Sequence, residues 1–176
     1  MQPSPLPRPQ AGPPCFVAID FETADRGNDS ACAVGLVRVA GAEIVHRAHF
    51  LIRPPRRTSA FTYVHGITWA HVAQQPTFAE LWPRLREHLG GADFLAAHNA
   101  AFDRSVLKAC CERAGLPVPD LRFECSMRLA RDAWGLRPTK LPDVCRRLGI
   151  PLRHHDPLSD AEACARIVLA ASGRST

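Results

Sequence analysis

The chain has 176 residues, 46% of them hydrophobic, which suits one domain with a sizeable core and is too apolar for a disordered chain. It has no apolar run of the roughly 20 residues that a membrane span needs, and its seven cysteines include no C-x-x-C pair, so neither a membrane protein, a zinc module nor a disulfide scaffold is signalled. The formal net charge is +5, from 22 basic and 17 acidic residues, which permits a nucleic-acid partner and is equally well explained by solubility.

The start, "MQPSPLPRPQAGPP", lacks the apolar stretch of a secretory signal, and its proline density predicts a disordered tail over residues 1–14. The free thiols fit a reducing, cytoplasmic setting. Residues 16–22 read as a buried first strand, followed by strands at 33–39 and 43–52. A short turn at Ala40-Gly41-Ala42 makes the last two an antiparallel hairpin. Residues 53–75 read as loop. A helix follows over 77–89, with Thr77 and Glu80 as a capping box and Gly90 as its stop. Residues 92–99 read as a fourth strand, 100–114 as a helix, and 121–125 as a short fifth strand. Helices complete the chain over 126–134, 141–148 and 157–171, the last opened by Asp156 as N-cap and Pro157 at N1. Strands first, then alternating helices and strands, predict an α/β fold with a mixed sheet and crossover helices on its faces.

The first strand poses a problem. In "FVAIDFETAD", 16–25, Asp20 and Glu22 stand one residue apart in an apolar strand. Strand side chains alternate, so both acids share one face and Phe21 takes the other. Two like charges beside a core are unfavourable without a counter-charge. Two further stretches place acids at element ends: Asp103 in "AHNAAFD" and Asp160 in "HHDPLSDAEACARI", where His155 lies just before the helix. Four carboxylates and no soft ligand specify a hard metal, Mg²⁺ above all. Two such ions about 4 Å apart can hold the attacking and leaving oxygens of a phosphoryl displacement. His155 can serve as the base near neutral pH. Taken singly, each residue has a plainer reading: Asp103 a helix-surface acid, Asp160 a first-turn acid favoured by the helix dipole, His155 a loop histidine. Their joint order favours the site.

"AIDFETAD", "HNAAFD" and "HDPLSD" resemble the three exonuclease motifs of the DEDDh, or DnaQ-like, 3′→5′ exonucleases, a family that includes the epsilon subunit of DNA polymerase III, ribonuclease T and oligoribonuclease. The resemblance spans about residues 16–171. It implies a ribonuclease H-like fold, a five-stranded mixed sheet flanked by helices, with the exonuclease domain over residues 15–173. It implies that Asp20, Glu22, Asp103 and Asp160 hold two Mg²⁺ or Mn²⁺ ions, that His155 is the general base, and that the polarity is 3′→5′ with nucleoside 5′-monophosphates released. A tyrosine branch of the family has its tyrosine four residues before the last acid; here that place is Asp156, which assigns the histidine branch. His154 competes with His155, one residue too far from Asp160. The resemblance further implies that Thr23, Val64, His65, His98, Asn99 and Phe102 meet the 3′-terminal nucleotide; core packing is the competing reading for Phe102 and Val64. The expected partners are single-stranded DNA or RNA 3′ ends and no membrane. A DNA polymerase partner and a free-standing enzyme stay open, residues 171–176 being too few for a tethering domain. Two alternatives remain open as well: a non-catalytic nucleic-acid or polymerase-binding module of this fold, and an RNA-processing or short-oligonucleotide nuclease.

Overall fold

A computed structural model describes residues 14–58 and 60–173; nearly all of the expected 1–14 tail lies outside them. Five strands form one sheet: β1 (Cys15–Thr23), β2 (Ala31–Ala40), β3 (Glu43–Leu51), β4 (Phe94–Ala97) and β5 (Phe123–Cys125). Their order is β3-β2-β1-β4-β5. The β2–β3 and β1–β2 pairs are antiparallel, and β4 and β5 run parallel to β1. The mixed sheet expected from the sequence is therefore present. β4 and β5 are shorter than the expected 92–99 and 121–125, because the chain turns away beyond the few residues that pair.

Residues 53–75, read from the sequence as loop, contain two short helices, α1 (Thr62–His65) and α2 (Trp69–Val72). Gly66 closes α1 at a φ of 74°, and Thr68 with His71 forms a capping box on α2. Each is too short to display the helical repeat on which a sequence reading depends. α3 (Phe78–Leu89) starts at the expected box: the Glu80 amide donates to Thr77 Oγ1 and the Thr77 amide to Glu80 Oε2. Gly90 stays extended at its end, and the left-handed turn falls on Gly91, at a φ of 70°. α4 (Ala100–Arg113), α5 (Ser126–Trp134), α6 (Leu141–Leu148) and α7 (Pro157–Ala171) follow. All seven cysteines are free, and five of them, Cys32, Cys110, Cys111, Cys145 and Cys164, are buried.

Alternation along β1 divides the core. Val17, Ile19 and Phe21 pack with Leu81, Leu85, Val106 and Leu107 of α3 and α4. Phe16 and Ala18 face the other way, against Ala161, Cys164, Ala165 and Val168 of α7. Asp20 and Glu22 continue this second row, so the strand carries them under the start of α7. A shift in register between Glu22 and Thr23 marks where pairing with β2 becomes irregular.

Gly35 of β2 pairs with Asp20 across the sheet. A Cβ there would stand 2.1 Å from the Pro157 carbonyl oxygen and 2.6 Å from the Leu158 amide nitrogen. The missing side chain is what lets the first turn of α7 lie on the sheet beside Asp20. Gly35→Ala is expected to push α7 outward, at a cost of about 1–3 kcal/mol for overpacking, and to lose activity with it. Chemical denaturation and a nuclease assay check this; a variant as stable and active as wild type would contradict it.

Candidate active site

Three elements converge at the carboxyl end of β1. β1 supplies Asp20 and Glu22. After β4 the chain makes one left-handed step at Asn99, with a φ of 66°, and enters α4. That step puts Asp103, only 1% exposed, at the end of β1, where its Oδ1 accepts the Phe21 amide at 2.9 Å. The bond falls on the residue between the two β1 acids and locks α4 to their strand. α7 supplies Asp160, 4% exposed. The helix starts as the sequence predicts, with Asp156 Oδ1 accepting the amides of Leu158 and Ser159.

His155 precedes α7 with a φ of 68°, the left-handed region that a histidine seldom adopts. This turn aims its amide at Asp160 Oδ2, at 3.1 Å. Its ring Nδ1 lies 4.0 Å from Glu22 Oε1. The turn also folds His154 back, so that its Nδ1 reaches Asp160 Oδ2 at 2.9 Å and its ring stacks on that of His155 with centroids 3.8 Å apart. The sequence spacing set His154 aside. The reversed backbone at His155 brings it to Asp160 all the same, and no residue pattern announces that reversal.

The electrostatics match a cluster that lacks its counter-charge. Burial, then Asp103, Asp160, Glu22 and Asp156, push Asp20 well above the ordinary carboxylate range. Burial, with Asp160 and Asp103, lifts Glu22 to about 8. Asp103 rises to about 7, mainly through burial, against the pull of the Phe21 amide. Asp160 is raised by burial despite its bonds to His155 and His154. Asp160 Oδ1 is buried and has no hydrogen-bond partner. Among the described residues, no lysine or arginine pairs with any of these four acids. Clustered carboxylate oxygens with one orphaned oxygen fit a hard divalent cation. His155 is lowered below its usual value, first by burial and then by His154.

The residues expected around a terminal nucleotide divide into two groups. Asn99 and Phe102 are exposed at this end of the sheet, Phe102 by 39%, so the core reading of Phe102 does not hold. Val64 is half-buried. The two histidines are already occupied. His65 Nδ1 accepts the Ile67 amide at 3.1 Å, which leaves Nε2 to donate to the Thr23 carbonyl at 3.1 Å. His98 Nε2 donates to the Thr139 carbonyl at 2.9 Å, and its Nδ1 takes the Ser126 hydroxyl at 2.8 Å. Burial lowers the pKa of both, which suits these neutral roles. They tie α1 and the α5–α6 loop to the site, so their ring nitrogens are not free for a nucleotide. Thr23 is buried and gives its carbonyl to His65. Ser126 and Thr139, both buried, escape a sequence reading because their only signal is contact with His98.

A ribonuclease H-like sheet with acids from β1, α4 and α7 gathered at one strand end defines a nuclease architecture. Residues 17–168 match the RNase_T family model, described as Exonuclease, and the chain belongs to that family. It is 31% identical over 162 residues to the PolC-type DNA polymerase III of Thermotoga maritima, covering 90% of this chain and 12% of that protein. It is 27% identical to the DNA polymerase III subunit epsilon of Escherichia coli K12, over 91% of this chain and 72% of that one. It is 31% identical to Exodeoxyribonuclease 10 of the same organism, over 77% and 59%. Among solved structures it resembles Exonuclease X in complex with 5′ overhanging duplex DNA, with a TM-score of 0.73 and 27% identity over 91% of this chain and 92% of that one. The chain thus spans only a small part of the polymerase that it matches.

Proposed function

We propose that this chain is a divalent-metal-dependent 3′→5′ exonuclease that hydrolyses the terminal phosphodiester of single-stranded nucleic acid and releases nucleoside 5′-monophosphates. The observation that carries the reading is the convergence of Asp20, Glu22, Asp103 and Asp160, raised in pKa and without a basic partner among the described residues. These four would hold two Mg²⁺ or Mn²⁺ ions. When bound, such ions supply charge stabilisation at the phosphate and favour ionisation of the attacking water. His155 does the proton work. It stays neutral near pH 7 and takes the water's proton at the ring nitrogen that faces Glu22. Its place on a turn before α7, outside helical hydrogen bonding, lets it close on substrate and open for product.

Asn99, Phe102 and Val64 would line the pocket for the terminal nucleotide, with Thr23 meeting it at the end of β1. Stacking and sugar contacts of this kind carry little sequence specificity. The relatives named for DNA polymerase III and Exodeoxyribonuclease 10 favour DNA as substrate, and the polymerase matches keep a DNA polymerase as a partner of this domain. Among the described residues no helix is long and apolar enough to cross a membrane.

The reading is tested with end-labelled single-stranded DNA, single-stranded RNA of the same sequence and a dinucleotide, each in Mg²⁺ and in EDTA. Shortening of DNA in Mg²⁺ and none in EDTA is expected. Equal cleavage in EDTA would remove the metal from the account. Cleavage of RNA or the dinucleotide alone would reassign the substrate, and cleavage of nothing would favour a binding module.

A further inference from the structure

We propose that His154, His155 and Asp160 form a second metal site, selective for a borderline transition metal such as Zn²⁺, whose occupation switches the nuclease off. The switching half rests on the function proposed above; the metal site rests on its own geometry. One ligand atom from each of the three residues lies within 4.8 Å of the other two. His154 Nδ1 and Asp160 Oδ2 are already 2.9 Å apart, and the two imidazoles stack face to face with centroids 3.8 Å apart. Zinc bonds to nitrogen and oxygen of about 2.0–2.2 Å put neighbouring ligand atoms about 3.3 Å apart. Closing from the 4.8 Å limit to that spacing takes a shift of at most about 1.5 Å, and His155 sits on a turn that can supply it.

The donor set decides which ion binds. Two imidazoles and a carboxylate suit zinc, nickel or copper, whereas Mg²⁺ takes oxygen ligands and keeps its waters. In the metal-free state His154 Nδ1 and Asp160 Oδ2 share a hydrogen bond; in the tautomer with hydrogen on Nε2, the Nδ1 lone pair is open to the ion. Asp160 Oδ1, buried and unbonded, is available to the same ion, and Glu22 Oε1 stands 4.0 Å from His155 Nδ1 as a further oxygen. The side chains of His154 and His155 are 39% and 41% exposed, so the ion enters from solvent. Once bound, it holds the His155 lone pair that would accept the water's proton and occupies Asp160, which the proposed hydrolysis needs. Mg²⁺ does not compete for the two nitrogens and opposes the ion only through the shared Asp160.

Cobalt(II) titration of the full chain, followed by its visible ligand-field absorption, reads the site without any nuclease activity. Wild type should give a saturable one-to-one band that zinc bleaches. His154→Gln should lose the band or weaken the affinity at least about tenfold, while Asp20→Asn should keep it. In parallel, zinc inhibition is measured in saturating Mg²⁺, each variant referred to its own zinc-free rate, and the half-inhibiting zinc concentration should rise at least about tenfold in His154→Gln. A band unchanged in His154→Gln and lost in Asp20→Asn would place the ion among the carboxylates and overturn the site. A band lost in His154→Gln with zinc inhibition unchanged would overturn the switch. Cobalt bound through His154 in a protein that cleaves no nucleic acid would support the site and fail the proposed function.

Discussion

Asp20→Ala is expected to reduce cleavage by about 10³-fold or more and, in the absence of metal, to raise the melting temperature. The first effect follows from removing a carboxylate that would hold the ions; several kcal/mol of transition-state stabilisation correspond to a loss of that order. The second follows from the fold holding Asp20 against its preference, buried beside Asp103, Asp160 and Glu22. The rest of the cluster gives the effect a pH signature. Glu22 moves from 4.5 to about 8 and Asp103 from 3.8 to about 7. Both folded-state values lie above the unfolded ones. Their contribution to stability is thus complete below the unfolded values and is lost as pH rises through 7 to 8. The metal-free protein should melt several degrees higher at pH 6 than at pH 9, at about 2–4 °C per kcal/mol for a chain of this size. Acids held low by arginines, such as Glu162 at about 2 beside Arg47 and Arg166, remain ionised throughout this window and do not offset it. Saturating Mg²⁺ should flatten the profile. A melting temperature of the metal-free protein that rises from pH 6 to pH 9 would contradict the cluster.

The second large effect concerns His155. His155→Ala should lower kcat by on the order of 10²-fold or more, the usual size for loss of a general base. Substrate affinity should change little, since the four carboxylates remain. The His155 pKa is depressed by burial and by His154, so the histidine is neutral from below its ordinary value of 6.5 upward. In wild type, kcat/KM should therefore rise with pH through a limb centred below 6.5, and that limb should vanish in His155→Ala. His154→Ala provides the contrast. It removes the bond to Asp160 and the ring stacked on His155, so a loss of about tenfold, at the low end for a partner of a metal ligand, is expected with the limb retained. If the limb vanished in His154→Ala and persisted in His155→Ala, the base would be His154.

The parts of this molecule that repeat or alternate were legible before the structure. Alternation in β1 put Asp20 and Glu22 on one face and Phe21 in the opposite core, and the structure divides them that way. The caps at Thr77 and Asp156 marked the starts of α3 and α7, because each is a local bond between near neighbours. What escaped depends on contacts between distant residues or on a single backbone angle. Gly35 reads as an ordinary strand glycine until α7 is laid across it. His65 and His98 read in sequence only as residues beside the terminal nucleotide, and the folded chain shows their ring nitrogens bonded to Thr23, Ile67, Ser126 and Thr139. The left-handed residue at His155 shortens the path from His154 to Asp160, and spacing alone counts that path as too long. Two four-residue helices went unread because one turn has no period.

The central claim is that the acids gathered at the end of β1 drive metal-dependent removal of nucleotides from a 3′ end. The most direct measurement follows a 5′-labelled single-stranded oligonucleotide over time in Mg²⁺, with wild type and Asp20→Ala side by side. Wild type should produce a ladder that shortens one nucleotide at a time from the 3′ end, while the variant leaves the substrate intact. A labelled mononucleotide as the first product, or an unchanged ladder in Asp20→Ala, would contradict it.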